Sequence, residues 1–78
     1  MDKQVILAEV QDIFRDVLDN DDIVLSGETV ADDIDEWDSL SHIQLIVAIE
    51  KHFHIKFSSK ELMAWKTVGD MIECISTK

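Results

Sequence analysis

The sequence predicts an all-α fold, a small four-helix bundle with a long first loop and a short third helix. Apolar residues recur at intervals of three and four rather than two, which is the period of helices and not of strands. The chain contains no proline, and its only glycines are Gly27 and Gly69. A chain of 78 residues is the size of one small domain, so we assign residues 1–78 to a single domain.

The first helix is predicted from about Lys3 to Leu18. Its core stripe consists of residues spaced by four, three and four, namely Ile6, Val10, Ile13 and Val17, and is widened by Leu7, Phe14 and Leu18. The next segment, from Asp19 to Asp38, is a long connection rich in aspartate. Loops of this length are uncommon in compact domains and often functional. We expect its apolar residues to pack against the core: Val24, Leu25, Val30 and Ile34.

The second helix is predicted to begin at Asp38-Ser39 and to end near Phe53. Asp38 is a suitable N-cap, and its charge favours the positive end of the helix dipole. The helix has two apolar faces, the first with Leu45, Ile46, Ile49 and Phe53 and the second with Leu40, Ile43 and Val47. A polar sector with Ser41, Gln44 and Lys51 lies between them. Either the helix is buried all round, or the second face is an exposed patch at which a partner docks.

A short third helix is predicted after Ser58, because Ser58 and Glu61 have the spacing of a capping box. We expect Leu62 and Met63 to be the residues that this helix buries. The final helix is predicted from about Thr67, its cap, to Ile75. Its apolar residues repeat at helical spacing: Val68, Met71, Ile72 and Ile75.

The net negative charge of the chain limits the kinds of molecule that it can bind. There are 17 Asp and Glu against 7 Lys and Arg, a formal net charge of −10. Between Glu9 and Asp38 there are 12 acidic residues, and Arg15 is the single base. Nucleic acids and anionic membrane surfaces repel such a chain, whereas proteins with basic patches complement it. We therefore predict protein partners, no nucleic acid and a monomer.

Three features of the sequence predict a protein of the reducing cytoplasm. Its one cysteine, Cys74, cannot form an internal disulfide. No apolar stretch approaches the roughly 20 residues that span a bilayer, which predicts no membrane insertion. Residues 1–4 are polar and lack the apolar region of a signal peptide.

The segment Glu36-Trp37-Asp38-Ser39-Leu40 contains the Asp-Ser-Leu tripeptide at which acyl carrier proteins receive phosphopantetheine. The tripeptide follows a long acidic loop and opens an apolar helix near the middle of the chain. The stretch from Ile43 to Glu50 is similar to the second helix of that family. Phe53, Ile55 and Phe57 resemble its exit, and Thr67-Val68 resembles the start of the last helix. The chain thus resembles the acyl carrier protein family over most of its length.

This resemblance implies a carrier and not an enzyme. A phosphopantetheinyl transferase, using Mg²⁺ and coenzyme A, would attach 4'-phosphopantetheine to Ser39. The thiol of this covalent arm would hold acyl groups for enzymes of fatty-acid, polyketide or related specialised biosynthesis. The family's partners dock basic patches on its second helix and preceding loop, and the matching residues here are Asp35, Glu36, Asp38, Leu40, Ile43, Val47 and Glu50.

The chain departs from the family pattern around the serine. Gln44 replaces a common acidic residue, Lys51 and His52 dilute the acid further along, and Trp37 replaces a small residue before the tripeptide. These changes weaken the assignment to housekeeping fatty-acid synthesis and leave open a specialised pathway or a second carrier within the host. An aminoacyl or D-alanyl carrier with the same arm is the alternative. Asp38 favours an acyl carrier over an aminoacyl or peptidyl carrier, and it argues less strongly against a D-alanyl carrier. A degenerate carrier fold used only for binding would not need Ser39.

Other chemistry is weakly supported by the sequence. A hydrolase could use Ser39 and His42 with Asp35 or Asp38, but the chain has no Gly-rich nucleophile elbow. A packed or half-buried His42 is the better interpretation. Asp19, Asp21 and Asp22 hint at a calcium loop, yet Val24 and Val30 occupy the glycine and glutamate positions, and His52 and His54 are only a pair. We predict no dedicated metal site, a groove-lining or core Trp65, and an apolar filler role for Cys74.

Overall fold

Four α-helices follow one another in the computed structural model, which describes residues 2–78. They are α1 (Lys3–Val17), α2 (Ser39–Phe53), α3 (Ser59–Ala64) and α4 (Val68–Ser76), with a short 3-10 helix at Ala31–Asp33 between α1 and α2. Residues 2–78 contain no β-strand. The predicted all-α fold is therefore confirmed, and the helix bounds lie within one residue or so of those expected. The 3-10 helix was not predicted.

Each α-helix begins at a side-chain cap that accepts a hydrogen bond from the first turn. Asp38, Ser58 and Thr67 cap α2, α3 and α4 as the sequence predicts. The Ser58–Glu61 capping box is present, since the Ser58 hydroxyl accepts from the Glu61 N–H and the Glu61 carboxylate from the Ser58 N–H. Asp2, which was not predicted, caps α1 by accepting from the Gln4 N–H. Because each cap acts within its own turn, the starts of these helices can be predicted from the local sequence.

The core lies where the apolar stripes of α1, α2 and α4 meet. Its buried residues are Ile6, Val10 and Phe14 of α1, Leu45 and Ile49 of α2, Val68, Met71, Ile72 and Ile75 of α4, and Ile23, Leu25 and Ile34 of the long connection. The predicted stripe of α4 is buried in full. In α1 the outer residues of the stripe, including Leu7 and Ile13, are partly buried and pack against the core from its edge.

The long connection is ordered by hydrogen bonds to the helices on either side. From α1, the Gln11 side-chain oxygen accepts from the Leu25 N–H at 2.9 Å, and Arg15 Nε donates to the Ile23 carbonyl at 2.8 Å. From α4, the Val68 and Gly69 N–H groups donate to the carbonyls of Thr29 and Gly27 at 2.8 and 2.9 Å. Orphan first-turn amides of α4 thereby hold the loop in place.

Gly69 is required by this contact. A Cβ atom at Gly69 would lie 2.6 Å from the Gly27 carbonyl oxygen, which is closer than such atoms approach. The loop and α4 therefore meet backbone to backbone, at a point where only glycine fits. The position of the loop on α4 depends on this close approach.

Two burial predictions were wrong. Val24 is 74% exposed, and its neighbour Ile23, which was not predicted, is buried with Leu25 instead. The backbone contacts of Ile23 and Leu25 with α1 turn those two residues inward and Val24 outward. Met63 is 85% exposed, because α3 has only six residues and uses Leu62 as its partly buried contact. The predictions for Leu25 and Ile34 are confirmed, and Val30 is half-buried.

Candidate functional site

Ser39 is the first residue of α2 and is exposed to solvent. It directly follows the N-cap Asp38, so its hydroxyl lies beside the first turn of a 15-residue helix. The backbone N–H groups and the dipole of this end of the helix favour negative charge. The position thus combines an accessible hydroxyl with a local environment suited to a phosphate group.

The entry into α2 is fixed by Asp38 and Ser41. The Asp38 carboxylate accepts a hydrogen bond from the Ser41 N–H at 2.9 Å, and the Ser41 hydroxyl accepts one from the Asp38 N–H at 2.8 Å. The Ser41 hydroxyl also donates to the Glu36 carbonyl at 2.8 Å. Hydrogen bonds from Ser41, first from its backbone, lower the pKa of Asp38 below its ordinary value and keep the cap charged. Ser41, which the sequence places in the polar sector of α2, is buried.

Trp37 and His42 form a pair beside the serine. The Trp37 indole Nε1–H donates to His42 Nδ1 at 3.0 Å, and the two rings are nearly parallel. Trp37 also packs edge-to-face against the buried Phe14, with ring centroids 4.9 Å apart. His42 is half-buried, as predicted, and burial lowers the pKa of its imidazole, which favours the neutral ring.

A cleft of about 480 Å³ opens next to Ser39. It is walled by α2, the loop before α2, the segment between α3 and α4, and α4 itself. Its lining residues are Ala31, Trp37, Asp38, Ser39, His42, Trp65, Lys66, Thr67 and Met71. Trp65 therefore lines a groove, which is one of the two roles predicted for it. Its ring is held edge-to-face against Phe57, with centroids 4.8 Å apart.

The second apolar face of α2 is exposed. Leu40, Ile43 and Val47 are 68%, 62% and 43% exposed, whereas Leu45 and Ile49 on the first face are fully buried. The interpretation in which α2 is buried all round is therefore wrong. Leu40 immediately follows Ser39, so this exposed apolar face begins at the serine.

The acidic residues predicted to bind partners have different surroundings. Asp35 and Glu36 are exposed on the turn before α2, and Glu36 accepts a hydrogen bond from the Asn20 side chain at 2.8 Å. Glu50 is half-buried, and its carboxylate accepts from the Phe57 N–H at 2.8 Å. Asp35, Glu36 and Asp38 thus lie close along the chain to Ser39, while Glu50 holds the connection between α2 and α3.

The arrangement does not resemble a catalytic triad. His42 Nδ1, the atom that a triad carboxylate would orient, accepts its hydrogen bond from Trp37. The nearby carboxylate of Asp38 is bound to the Ser41 N–H instead. Within residues 2–78, no three His, Cys, Asp or Glu side chains cluster so as to hold a metal ion.

Cys74 has a polar contact that its prediction as an apolar filler missed. Its thiol donates to the Glu61 carboxylate at 3.2 Å, and Lys78 Nζ lies 2.8 Å from the same carboxylate. Burial, followed by the contact with Glu61, raises the pKa of the Cys74 thiol. The Glu61 carboxylate thus joins α3 to Cys74 of α4 and to Lys78. A local sequence pattern does not indicate such a contact.

Comparison with known proteins places these features in a family. The family profile described as "Phosphopantetheine attachment site" matches residues 8–75. The acyl carrier protein of Thermosynechococcus vestitus is 33% identical over 79 aligned residues, covering 100% of this chain and 96% of the relative. The chain belongs to the acyl carrier protein family.

Further relatives of this carrier protein agree with that placement. The acyl carrier protein of Clostridium perfringens is 32% identical, covering 87% of this chain and 90% of the relative. The solution structure of holo acyl carrier protein from Geobacter metallireducens superposes with a TM-score of 0.88 at 51% identity, covering 92% of this carrier protein and 83% of that chain. The recognition made from the Asp-Ser-Leu tripeptide is thus confirmed, and with it phosphopantetheine as the covalent cofactor. No helix within residues 2–78 of this carrier protein is long and apolar enough to cross a membrane.

Proposed function

We propose that this carrier protein bears its 4'-phosphopantetheine arm on Ser39 and presents acyl groups to enzymes of fatty-acid, polyketide or related specialised biosynthesis. The observation that carries the proposal is the exposed Ser39 hydroxyl on the first residue of α2, directly after the Asp38 cap. When bound, the arm supplies a thiol that holds the acyl group as a thioester.

The residues around Ser39 fit a phosphodiester at this position. The first-turn N–H groups of α2 and the helix dipole offset its negative charge. Asp38 is close enough to repel it, but the hydrogen bonds from Ser41 hold the Asp38 charge against the backbone of the same turn. Ser41 in turn fixes the loop carbonyl of Glu36, so the serine is presented by a rigid turn.

Partner enzymes are proposed to contact the surface on both sides of Ser39. Its acidic part is Asp35, Glu36 and Asp38, and its apolar part is Leu40, Ile43 and Val47, which are exposed. Glu50 completes the proposed set at the far end of α2, although its carboxylate also accepts from the Phe57 N–H. Acidic groups steer a basic partner, and desolvation of the apolar side chains supplies most of the affinity.

The chain itself performs no catalysis in this proposal. Its residues hold the serine at a helix end, keep the hydroxyl accessible and offer a docking surface. We infer that it acts as a single-domain monomer, since a net charge of −10 opposes self-association. We also infer that it acts in the cytoplasm.

The attachment is tested by treating the unmodified protein with coenzyme A, Mg²⁺ and a broad-specificity phosphopantetheinyl transferase. We expect the mass to increase by one phosphopantetheinyl group, and Ser39→Ala to show no increase. An unchanged mass with a transferase that modifies a known carrier would overturn the proposal.

The class of cargo requires a second experiment on the modified protein. An acyl-activating ligase and adenylating enzymes for amino acids or D-alanine are compared for loading, and each is checked on its own carrier. We expect loading by the acyl ligase alone. Preferential loading by an amino-acid or D-alanine enzyme would establish the aminoacyl or D-alanyl alternative instead.

A further inference from the structure

Residues 51–60 form a positively charged surface on an otherwise acidic protein. This basic segment contains three lysines and two histidines, all exposed, and no Asp or Glu, the basic residues being Lys51, His52, His54, Lys56 and Lys60. Phe53, Ile55 and Phe57 lie between them and pack against the core. The apolar side chains of the segment therefore turn inward and its cations turn outward, in a chain with a net charge of −10.

Lys51 lies in line with the exposed apolar face of α2. It follows Val47 by four residues, and Val47 follows Ile43 by four, so the three side chains share one side of the helix. At a rise of 1.5 Å per residue, Lys51 is about 18 Å along the helix axis from Ser39. A partner that covers this face from Ser39 onward reaches the basic segment.

Lys56 is held against the same end of α2. The Ile55 N–H donates to the Glu50 carbonyl at 3.1 Å, and the Phe57 N–H donates to the Glu50 carboxylate at 2.8 Å. The chain thus folds back on the last turn of the helix on both sides of Lys56. Because the Glu50 carboxylate is half-buried and occupied by a backbone donor, the exposed charge at this end comes from the lysines.

The fold itself does not account for these lysines. Of the ion pairs within residues 2–78, one uses His52, which lies 3.1 Å from Glu9 of α1, and none uses a lysine of the basic segment. The dipole of α2 favours Lys51 in its last turn, but Lys60 lies in the first turn of α3, where a helix dipole disfavours a cation. The three charges are therefore available to a partner.

The surface proposed to dock partner enzymes accordingly has opposite charges at its two ends. Asp35, Glu36 and Asp38 are exposed before α2, whereas the basic segment follows its last turn. An enzyme that is basic along this whole length is attracted at the first end and repelled at the second. Such a repulsive contact discriminates between partners as effectively as an attractive one.

We propose that the basic segment docks on an acidic patch of the partner enzyme, and so selects enzymes that are basic near Ser39 and acidic at the far end of α2. The inference rests on the proposed docking of partners along this helix. It changes the expected contact at the far end, which is made through Lys51 and Lys56 rather than through Glu50. Complementary charges at two separated points also fix the direction in which the carrier protein lies on the enzyme.

The test uses an acyl ligase whose own carrier has carboxylates at the positions of Lys51 and Lys56. A second form of this ligase has the basic residue that faces the end of α2 changed to glutamate. The carriers are wild type, Lys51→Glu, Lys56→Glu and, as the control with the same change of charge on α1, Lys3→Glu. Intact mass first establishes that each carrier bears one arm, so failure of attachment is recognised separately. The kcat/KM for loading is then measured for every combination.

With the natural ligase, we expect Lys51→Glu and Lys56→Glu each to raise kcat/KM by at least about threefold, because a repulsion is removed. With the altered ligase the order should reverse, so that wild type is loaded better than either variant. Both differences should shrink at high ionic strength. Lys3→Glu should have the same small effect with both ligases.

The proposal would be overturned by a change in kcat/KM that is the same with both ligases, or by no loading in any combination, since charge reversal should restore it. Light scattering of the wild type and Lys51→Glu is measured in parallel. A dimer that Lys51→Glu abolishes would mean that the basic segment binds the acidic loop of a second copy, and would also contradict the assignment to an enzyme partner.

Discussion

The Ser41 hydroxyl accepts a hydrogen bond from the Asp38 N–H at 2.8 Å, while the Asp38 carboxylate accepts one from the Ser41 N–H at 2.9 Å. This reciprocal pair surrounds Ser39 in the sequence and sets the turn on which it is presented. Because Ser41 is buried, removing its hydroxyl leaves the Asp38 N–H and the Glu36 carbonyl without this hydrogen-bond partner. The position of Ser39 therefore depends on a neighbour two residues away.

Ser41→Ala is expected to lower the free energy of unfolding by about 1–2 kcal/mol, because the Asp38 N–H and the Glu36 carbonyl lose their partner. Urea unfolding followed by circular dichroism measures this change. Ser59→Ala on the exposed face of α3 is the control and should stay within about 0.5 kcal/mol of wild type. Equal stabilities of the two variants would contradict the role assigned to Ser41.

Gly69→Ala is expected to destabilise the protein by about 1–3 kcal/mol, although glycine to alanine within a helix ordinarily stabilises by up to about 1 kcal/mol. The reason is that the new Cβ would lie 2.6 Å from the Gly27 carbonyl oxygen. Gly27→Ala is the matched control, since its Cβ would be 3.9 Å from its nearest neighbour, Gly69 Cα. Thermal unfolding of both variants checks this; a Gly69→Ala protein as stable as wild type would show that the loop does not dock on α4.

The hydrogen-bonded Glu61 carboxylate is expected to stabilise the fold at neutral pH and to lose this stabilising effect in acid. Hydrogen bonds from Lys78 first, then from the Ser58 N–H and Cys74, lower its pKa from 4.5 to about 2. A group whose pKa is lowered by folding stabilises the protein above its unfolded-state pKa and loses that effect as the pH falls. Glu61→Gln should therefore be less stable than wild type at neutral pH, and the gap should close between pH 4.5 and about 2.

Urea unfolding of wild type and Glu61→Gln at several pH values measures this gap. Lys78→Met, which removes the cation and keeps an apolar stem near Phe57, should show a similar pH dependence of the gap. A difference between Glu61→Gln and wild type that stays constant down to pH 2 would mean that the carboxylate is not paired as described.

Ile43→Ser is expected to reduce the kcat/KM of the phosphopantetheinyl transferase by about tenfold while leaving stability nearly unchanged. Ile43 is 62% exposed, so its side chain contributes little to the core but contributes to the proposed docking face. Val24→Ser, at a residue 74% exposed on the loop, is the control and should react like wild type. Equal kcat/KM values of the transferase for both variants would show that Ile43 is not part of the docking surface.

The helix starts and the core of this protein could be predicted because their signals are local. Asp38, Ser58 and Thr67 act as caps within their own turns, and Val68, Met71, Ile72 and Ile75 define one stripe by spacing alone. The placement of Ser39 at the start of α2 followed from the Asp38 cap, whereas its predicted role came from the resemblance of the Asp-Ser-Leu tripeptide to the family. These features require no knowledge of how the elements pack.

Features that join distant segments were not predictable in this way. The burial of Ser41 depends on where the Glu36 carbonyl lies, and the contact of Cys74 with Glu61 requires α3 and α4 to meet. The inward turn of Ile23, rather than Val24, depends on Arg15 reaching its carbonyl from α1. The contact between Trp37 and His42 was likewise not predictable from helical spacing. Trp37 lies before the N-cap of α2, outside the helix, and its indole N–H reaches His42 on the helix.

The central claim is that Ser39 carries the arm, and site-resolved mass spectrometry after transferase treatment tests it most directly. Wild type, Ser39→Ala and the control Ser59→Ala are each incubated with coenzyme A, Mg²⁺ and the transferase, digested and sequenced by tandem mass spectrometry. The account predicts one phosphopantetheinyl group on the peptide containing Ser39 in wild type and Ser59→Ala, and none in Ser39→Ala. A modified Ser39→Ala protein, or an unmodified wild type beside a known carrier that the same transferase modifies, would contradict it.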